Sequence, residues 1–202
     1  MSLAQHVKET FQKEFKGVQL DESYDYKKLN RERLISFRRP VEAIVRLDKP
    51  TNIPRARELG YKAKQGVFAA RVRIRKGGGL HFRPKRGRKP KRMGIEKLTR
   101  KQSIQGIAEQ RAGKRFPNCE VLNSYYIGED GQHFYFEAIL VDPFAPTVKA
   151  DKELNWVCAK QHKDRAERGL TSAQKRSRGL HGKGIGYEKN RPSLRAHHRQ
   201  GN

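Results

Sequence analysis

The stretch VLNSYYIGEDGQHFYFEAILV, residues 121–141, carries the clearest strand pattern in the chain. Runs rich in aromatic and β-branched residues at 121–127 and 134–141 flank a GEDG segment at 128–131. An Asp-Gly pair between two such runs is typical of a β-hairpin. Pro143 lies just beyond the second run and ends it, because proline has no N–H group for the strand ladder. We therefore predict an antiparallel hairpin at the centre of the fold.

Two further strands are predicted upstream, at residues 41–47 and 67–76. The second run ends in an alternation of basic and apolar residues, and successive strand side chains point to opposite faces. Its apolar members would face the core, while its guanidinium groups would project together, roughly 6.6 Å apart, as a ladder suited to a phosphate backbone. The alternative is a solvated outer face of an antiparallel sheet. The apolar members are Val72 and Ile74, and the basic ones are Arg71, Arg73 and Arg75.

Helices are predicted in the intervals between these strands. Residues 52–59 indicate a short helix beginning near Pro54. A longer helix would follow the capping-box spacing at 99–102 and stop at Gly113. Its apolar face would consist of Ile104, Ile107, Ala108 and Ala112. We expect the hairpin to bury one of its faces against this helix.

The first forty residues favour two helices. Ser2 and Gln5 have capping-box spacing, and an apolar stripe with a period of four should face the body of the protein. A second helix is predicted at 27–37. The order after residue 40 is strand, helix, strand, basic loop, helix and hairpin, which predicts an α+β domain with a mainly antiparallel four-stranded sheet, β-α-β-α-β-β. The stripe consists of Leu3, Val7, Phe11 and Phe15.

Charge is distributed very unevenly along the chain. The 202 residues include 46 Lys plus Arg and 21 Asp plus Glu, a formal net charge of +25. Residues 71–92 contain eleven Lys or Arg and no acid, whereas residues 117–159 contain seven acids and two Lys. Self-repulsion on this scale is relieved by an extended polyanion, which indicates nucleic acid as the partner. The acidic residues of 117–159 should instead face solvent or basic neighbouring proteins.

Two segments hold too few apolar side chains to fold by themselves. Residues 77–92, the basic loop, combine three successive glycines with Arg, Lys and Pro, and residues 160–202 combine twelve Lys or Arg with six glycines. Both should become ordered on their partner. The chain then divides into an N-terminal helical segment, 1–40, an α+β core, 41–159, and a basic C-terminal extension, 160–202.

Other classes of function find little support in the residues. Cys119 and Cys158 lie far apart without ligand spacing, so neither a disulfide framework nor a zinc site is predicted, and no cofactor is expected. No apolar run is long enough to span a bilayer, and we expect a cytosolic protein with reduced thiols. An enzyme would need a convergent acid, base or nucleophile, and the seven His are scattered. The glycines at 182–186 lack the spacing of a nucleotide-binding loop.

Two alternatives concern the mode of binding. Trp156 could be a base-stacking platform, although its acidic neighbourhood favours a core or docking role. A chromatin-type DNA-binding protein would share the charge of this chain. No helix-turn-helix, zinc-finger or zipper pattern supports that class.

Seven blocks of sequence resemble large-subunit ribosomal protein fifteen of the archaeal and eukaryotic type. Their residues are more similar to the archaeal branch of that family. The resemblance implies a structural protein without catalytic activity that binds large-subunit ribosomal RNA and contacts neighbouring ribosomal proteins. It also implies a β-α-β-α-β-β antiparallel sheet. Gln174 departs from the family, which usually has Gly there. The blocks are RLDK at 46–49, ARELGYKAKQG at 56–66, RVRIRKGG at 71–78, AEQRAG at 108–113, VLNSY at 121–125 with GED at 128–130, ILVDP at 139–143, and RGLTSA at 168–173 with RGL at 178–180.

Recognition of RNA by shape is the predicted mechanism, since A-form RNA hides its base edges in a deep groove. The strand arginines would form a fixed ladder, and the two basic segments would thread between RNA helices. The predicted RNA-binding residues are Arg55, Arg57, Tyr61, Lys62, Lys64, Arg71, Arg73, Arg75, Lys76, Arg83, Lys85, Arg86, Arg88, Lys89, Lys91, Arg92, Arg165, Arg168, Lys175, Arg176, Arg178, Lys183, Arg191, Arg195 and Arg199.

Overall fold

The computed structural model describes residues 2–16, 25–95, 99–100, 102–182, 184–188 and 190. Six α-helices and four strands lie in these ranges, together with three short 3-10 helices. The helices are α1 Leu3–Lys16, α2 Tyr26–Arg38, α3 Ile53–Glu58, α4 Ile104–Arg115, α5 Pro146–Lys149 and α6 Ser172–Ser177. The strands are β1 Ile44–Leu47, β2 Val67–Arg75, β3 Glu120–Glu129 and β4 His133–Val141. The 3-10 helices are Pro90–Arg92, Asn155–Cys158 and Lys160–His162.

The four strands form one antiparallel sheet in the order β1-β2-β4-β3. This confirms the predicted α+β fold and the hairpin of β3 and β4. The Asp130 carboxylate stabilises the hairpin turn by accepting the backbone N–H groups of Gln132 and His133 at 2.8 and 2.7 Å. The first strand is shorter than predicted, because it begins only at Ile44 and Val41 lies exposed before it.

Both faces of the sheet are buried. One face packs under α4, where Val72, Ile74 and Leu140 meet Ala108 and Ala112. The predicted core position of the two β2 side chains and the predicted contact between α4 and the hairpin are therefore confirmed. The opposite face packs against α3, α5 and the 3-10 helix Asn155–Cys158. In a two-layer fold one sheet face is open to solvent, whereas here both faces are covered. Arginines on the face away from α4 are therefore less free to project into solvent.

The boundaries of α4 differ from the prediction at both ends. The helix begins after Ser103, whose Oγ accepts the Gly106 N–H at 3.1 Å, so the predicted start at Thr99 is wrong. Ser103 directly precedes the apolar face and can serve as the N-cap itself. The predicted stop at Gly113 is also wrong, because the helix continues to Arg115. Gly113 lies instead where α4 runs close to β3.

The two N-terminal helices form as predicted and lie against each other. The Ser2 N–H donates to Gln5 Oε1 at 2.8 Å, which confirms the capping box. An ion pair between Glu14 and Arg33 joins α1 to α2. The expected apolar stripe fails at Leu3, which is 81% exposed because it lies at the first helical position, beyond the body of the protein. The Phe15 side chain lies outside the described residues.

The start of the C-terminal extension is part of the folded domain. Residues 160–182, called the C-terminal root below, bury Ala166, Thr171 and Gln174. Ala166 packs with Ala112 and Val121 between α4 and β3. The expectation that the whole extension folds only on its partner is therefore wrong for the root. A few small apolar and hydroxyl side chains are enough to hold the root in place, because α4 and β3 already provide the packed surface against which they lie.

Candidate nucleic-acid interface

The basic loop presents the largest group of exposed cations. Its base is fixed by Arg100, whose guanidinium donates to the carbonyl oxygens of Gly77 and Arg75 at 2.8 and 2.7 Å. The sequence reasoning missed this role of Arg100, because its two partners lie 23 and 25 residues away and the capping-box spacing at 99–102 gives no sign of it. Within the described residues, no ion pair involves the loop cations. All seven are exposed: Arg83, Lys85, Arg86, Arg88, Lys89, Lys91 and Arg92.

The three strand arginines share one face of β2 but have different surroundings. Arg75 is exposed at the end of the strand. Arg73 is half-buried, and its guanidinium donates to the carbonyl oxygens of Pro40 and Val41 at 3.3 and 3.0 Å. These bonds orient Arg73 and tie β2 to the segment that follows α2. An outward-facing basic group therefore exists only toward the Arg75 end of the strand.

Arg71 points into the protein, and the expected outward projection is wrong for this residue. Its guanidinium carbon lies 3.9 Å from the centroid of the Phe37 ring, and its Nη2 donates to Thr51 Oγ1 at 3.1 Å. Glu137 faces Arg71 on the neighbouring strand β4, and its Oε1 lies 3.7 Å from Arg71 Nη2. Burial lowers the pKa of Arg71, and the Glu137 carboxylate opposes that shift. The physical reason is that α2 covers this part of the sheet face through Phe37.

Glu137 is the centre of this buried polar cluster. The backbone N–H of Thr51 donates to it at 2.9 Å, and the hydroxyls of Thr51 and Tyr125 donate to it as well. Burial and the nearby Glu137 carboxylate raise the pKa of Tyr125. Glu137 belongs to the acidic segment 117–159, so the expectation that those acids face solvent or other proteins is wrong here. An acid at the middle of a central strand finds its partners within the fold.

Two predicted RNA-binding lysines in the segment after α3 form ion pairs with another part of the fold. Lys62 and Lys64 both donate to the buried Asp151 carboxylate, at 2.8 and 2.7 Å. These hydrogen bonds hold the pKa of Asp151 well below its usual range. Tyr61 is a core residue. Arg55 and Arg57 on α3 are exposed, and the Lys64 side chain is half exposed beside Asp151.

The C-terminal root also divides its basic residues between interior and surface. Arg165 is buried, donates to the Val121 carbonyl at 3.3 Å and stacks on Trp156 at 4.6 Å. Arg168 and Arg178 donate to backbone carbonyls within the root. Lys175 and Arg176 on α6 are exposed. Four further predicted residues lie outside the described ranges: Lys183, Arg191, Arg195 and Arg199.

Trp156 is 38% exposed, and one of its faces is covered by the Arg165 guanidinium. The His162 ring lies nearly perpendicular to the Trp156 ring, with 4.8 Å between the two ring centroids. Its neighbours Leu154 and Val157 are buried in the core. The Trp156 ring therefore supports the packing of the root against the 3-10 helix Asn155–Cys158, and only part of it is open to solvent.

Glu109 holds the root against α4 and β3. The hydroxyls of Ser124 and Thr171 both donate to its carboxylate, the first at 2.6 Å. Burial raises the pKa of Glu109, and the two hydroxyl bonds act against that shift. Sequence reasoning did not single out Glu109, because its partners lie 15 and 62 residues away.

Three groups of exposed cations stand out among the predicted RNA-binding residues and are called the basic patches below: the basic loop with Arg75, α3 with Arg55 and Arg57, and α6 with Lys175 and Arg176. Among the described residues, no group of His, Cys, Asp and Glu could hold a metal ion. No helix in the described ranges is long and apolar enough to cross a membrane. The arrangement suits binding of an extended polyanion by contacts to several phosphates.

Comparison with known proteins identifies relatives of this chain. A family model described as Ribosomal L15 matches residues 6–197. The chain is also 54% identical over 170 residues to a protein of Methanocella arvoryzae named large ribosomal subunit protein eL15. That alignment covers 84% of this chain and 86% of the relative. The family match spans the sheet, the basic loop and the C-terminal root.

Proposed function

The chain belongs to the Ribosomal L15 family, a family of structural, non-enzymatic constituents of the large ribosomal subunit, and we propose that it stabilises folded ribosomal RNA through its three exposed basic patches. The family resemblance seen in the sequence is thereby confirmed. Membership implies association with large-subunit ribosomal RNA and other ribosomal proteins in the cytoplasm. The proposal concerns which surfaces of the protein make those contacts.

The basic loop carries the proposal. Seven exposed cations without ion-pair partners in the described structure repel one another, and RNA phosphates relieve this repulsion while releasing condensed counterions. Among the described residues, the side-chain hydrogen bonds from other elements reach the loop at its base, from Arg100, so its outer part adapts to the shape of the RNA. This ordering costs part of the interaction energy.

The second contribution comes from cations that the fold holds in place. Arg75 extends the basic loop at the end of β2, while Arg55 and Arg57 lie on α3. Because these residues lie on packed elements, their charges are positioned before RNA arrives and lose less entropy on binding. Arg71, Lys62 and Arg165 support this surface by stabilising the fold. Lys64 stabilises the fold from the surface through its ion pair with Asp151.

The test compares two variants that lose equal charge. The triple loop variant Arg83→Gln, Arg86→Gln and Arg88→Gln should bind ribosomal RNA on the order of 100-fold more weakly at physiological salt. The log-log salt slope should fall in magnitude by roughly two to three. The control variant is Lys114→Gln, Lys149→Gln and Lys152→Gln, three exposed lysines outside the patches.

Filter binding or fluorescence anisotropy across a salt series measures both quantities. The control should keep the slope of the parent protein. Equal losses in the two variants would mean that net charge alone drives binding, and would contradict the assignment to the loop. RNase treatment, unlike DNase treatment, should release the protein from ribosomal particles in a lysate.

A further inference from the structure

A cleft of about 460 Å³ lies between α3 and α6 on the edge of the sheet. Arg55 and Leu59 form one wall, and Ser172 and Arg176 form the other. Its floor is residues 123–126 of β3, which is the edge strand. The two walls are more than 100 residues apart in sequence, so only the tertiary structure brings them together.

The side chains that line the cleft suit a ligand that carries both a negative charge and hydrogen-bonding groups. A guanidinium from each wall, Arg55 and Arg176, borders it, and no acidic side chain is among its described lining residues. Arg55 also pairs with Glu58 at 2.6 Å, but a guanidinium has five N–H donors and can bind a phosphate as well. The Asn123 amide and the Ser172 hydroxyl add groups that can bond a base edge or a 2′-hydroxyl.

An aromatic ring completes the lining. Tyr126 is 39% exposed and borders the cleft, and its ring packs edge-on against Phe136 at 5.8 Å between centroids. This contact fixes the ring while leaving part of it open to solvent. Aromatic rings that border a basic surface stack on unpaired bases with little dependence on sequence.

The floor of the cleft is rigid. The Ser124 hydroxyl donates a hydrogen bond to the buried Glu109 carboxylate at 2.6 Å and accepts one from the Gln105 amide at 2.9 Å. Thr171 donates to the same carboxylate and so fixes the start of α6. The floor and the α6 wall are therefore fixed relative to each other before any ligand binds.

From these features we infer that the cleft binds a single unpaired nucleotide of RNA. A cavity of this volume lies in the usual range for small-ligand sites and is too small for an RNA helix. Arg55 and Arg176 contact the phosphates on either side, Asn123 and Ser172 bond the polar edges, and Tyr126 stacks on the base. The inference rests on the proposed function and adds a specific site to it.

The experiment places a photo-crosslinking amino acid, p-benzoylphenylalanine, at Ser172 in the full-length chain and irradiates its complex with ribosomal RNA. Ser172 is exposed and lines the cleft. The expected product is a crosslink to an unpaired nucleotide. The control position is Phe144, a 73% exposed aromatic residue in the acidic segment, which should give no RNA crosslink.

Substitutions test the contacts separately. The double variant Arg55→Gln and Arg176→Gln should lose the Ser172 crosslink and bind RNA roughly 15- to 30-fold more weakly at physiological salt. Tyr126→Leu should weaken binding roughly 5- to 100-fold, whereas Tyr126→Phe, which keeps the ring, should bind as the parent does. Thermal unfolding of each variant checks that the fold is retained.

The outcomes separate the two proposals. A parent protein that shows no salt-dependent RNA binding would overturn the proposed function. Normal RNA binding with a Ser172 crosslink to an acidic peptide of a neighbouring protein, or to paired nucleotides, would overturn the cleft assignment alone. Equal affinities of Tyr126→Leu and Tyr126→Phe would exclude the stacking contact and with it the assignment of a base to the cleft.

Discussion

The basic loop, residues 77–92, and the C-terminal root, residues 160–182, are both rich in Lys, Arg and Gly, and the sequence predicted the same behaviour for both. The structure separates them. The loop cations are exposed, whereas the root buries Arg165, Ala166 and Thr171 against α4 and β3. The number of basic residues in a segment therefore does not tell whether they bind a partner or stabilise the fold.

The difference comes from the few uncharged side chains in each segment. In the loop, Leu80 and Phe82 are the large apolar residues, and both are exposed. In the root, small or hydroxyl-bearing residues fit between elements that are already packed, and Thr171 finds the buried Glu109 carboxylate. Burial of Ala166 and satisfaction of Glu109 offset the entropy of ordering the root.

The largest expected effect comes from two truncations. Ending the chain after Lys163 removes Arg165, Ala166 and Thr171 from the core and should lower the free energy of unfolding on the order of 5 kcal/mol. Ending it after Gly182 should leave the free energy of unfolding within about 1 kcal/mol of the parent. Urea unfolding followed by circular dichroism measures both. Equal stabilities would show that the root does not belong to the folded domain.

The two classes of arginine should respond in opposite ways to substitution. Arg165→Ala removes a buried guanidinium and its stacking on Trp156, and should cost about 2 to 3 kcal/mol of stability. Arg83→Ala should change stability by less than about 0.5 kcal/mol. In RNA binding, Arg83→Ala should reduce the salt slope by roughly 0.7 to 0.9, while Arg165→Ala should leave it unchanged.

Stability measurements can use fluorescence of Trp156, the single tryptophan, in the Arg83 variant. Circular dichroism is needed for the Arg165 variant, because that substitution changes the surroundings of the indole. A reduced salt slope in a stably folded Arg165→Ala protein would place Arg165 among the RNA contacts and weaken the division between the two segments.

The smallest expected effect concerns the pH dependence of the root. The pKa of Glu109 is raised in the folded state by burial, so the folded protein binds this proton more tightly than the unfolded chain. Its contribution to stability is complete below the unfolded pKa and is lost as the pH rises through the folded pKa. Glu109→Gln removes the titration, and its stability relative to the parent should therefore increase as the pH rises through that window.

Urea unfolding at a series of pH values measures this change, which should be smaller than the effect of Arg165→Ala. The control is Glu167→Gln, an exposed carboxylate that pairs only with Lys114 at 3.5 Å among the described ion pairs. Its measured stability relative to the parent provides the baseline for removal of one surface carboxylate. A flat difference for Glu109→Gln would mean that its carboxylate titrates alike in the folded and unfolded states.

Local patterns predicted the elements that depend on neighbouring residues. The hairpin, the short helix α3, the capping box at Ser2 and the core-facing apolar residues of β2 all formed as expected. Each arises from turn chemistry or side-chain period within about ten residues. The start of α4 was misplaced because two local capping signals compete there, and Ser103 is closer to the buried face.

The family and the excess of basic residues were determined by the sequence itself, because ordered motifs and net charge do not depend on how the chain folds. Only the tertiary structure decided which cations remain at the surface. Glu137 meets Thr51 across 86 residues, Asp151 meets Lys62 across 89, and Thr171 meets Glu109 across 62. A basic side chain remains exposed where it has no buried partner and does not stack on a ring within the fold. These long-range contacts form only when helices cover both faces of the sheet.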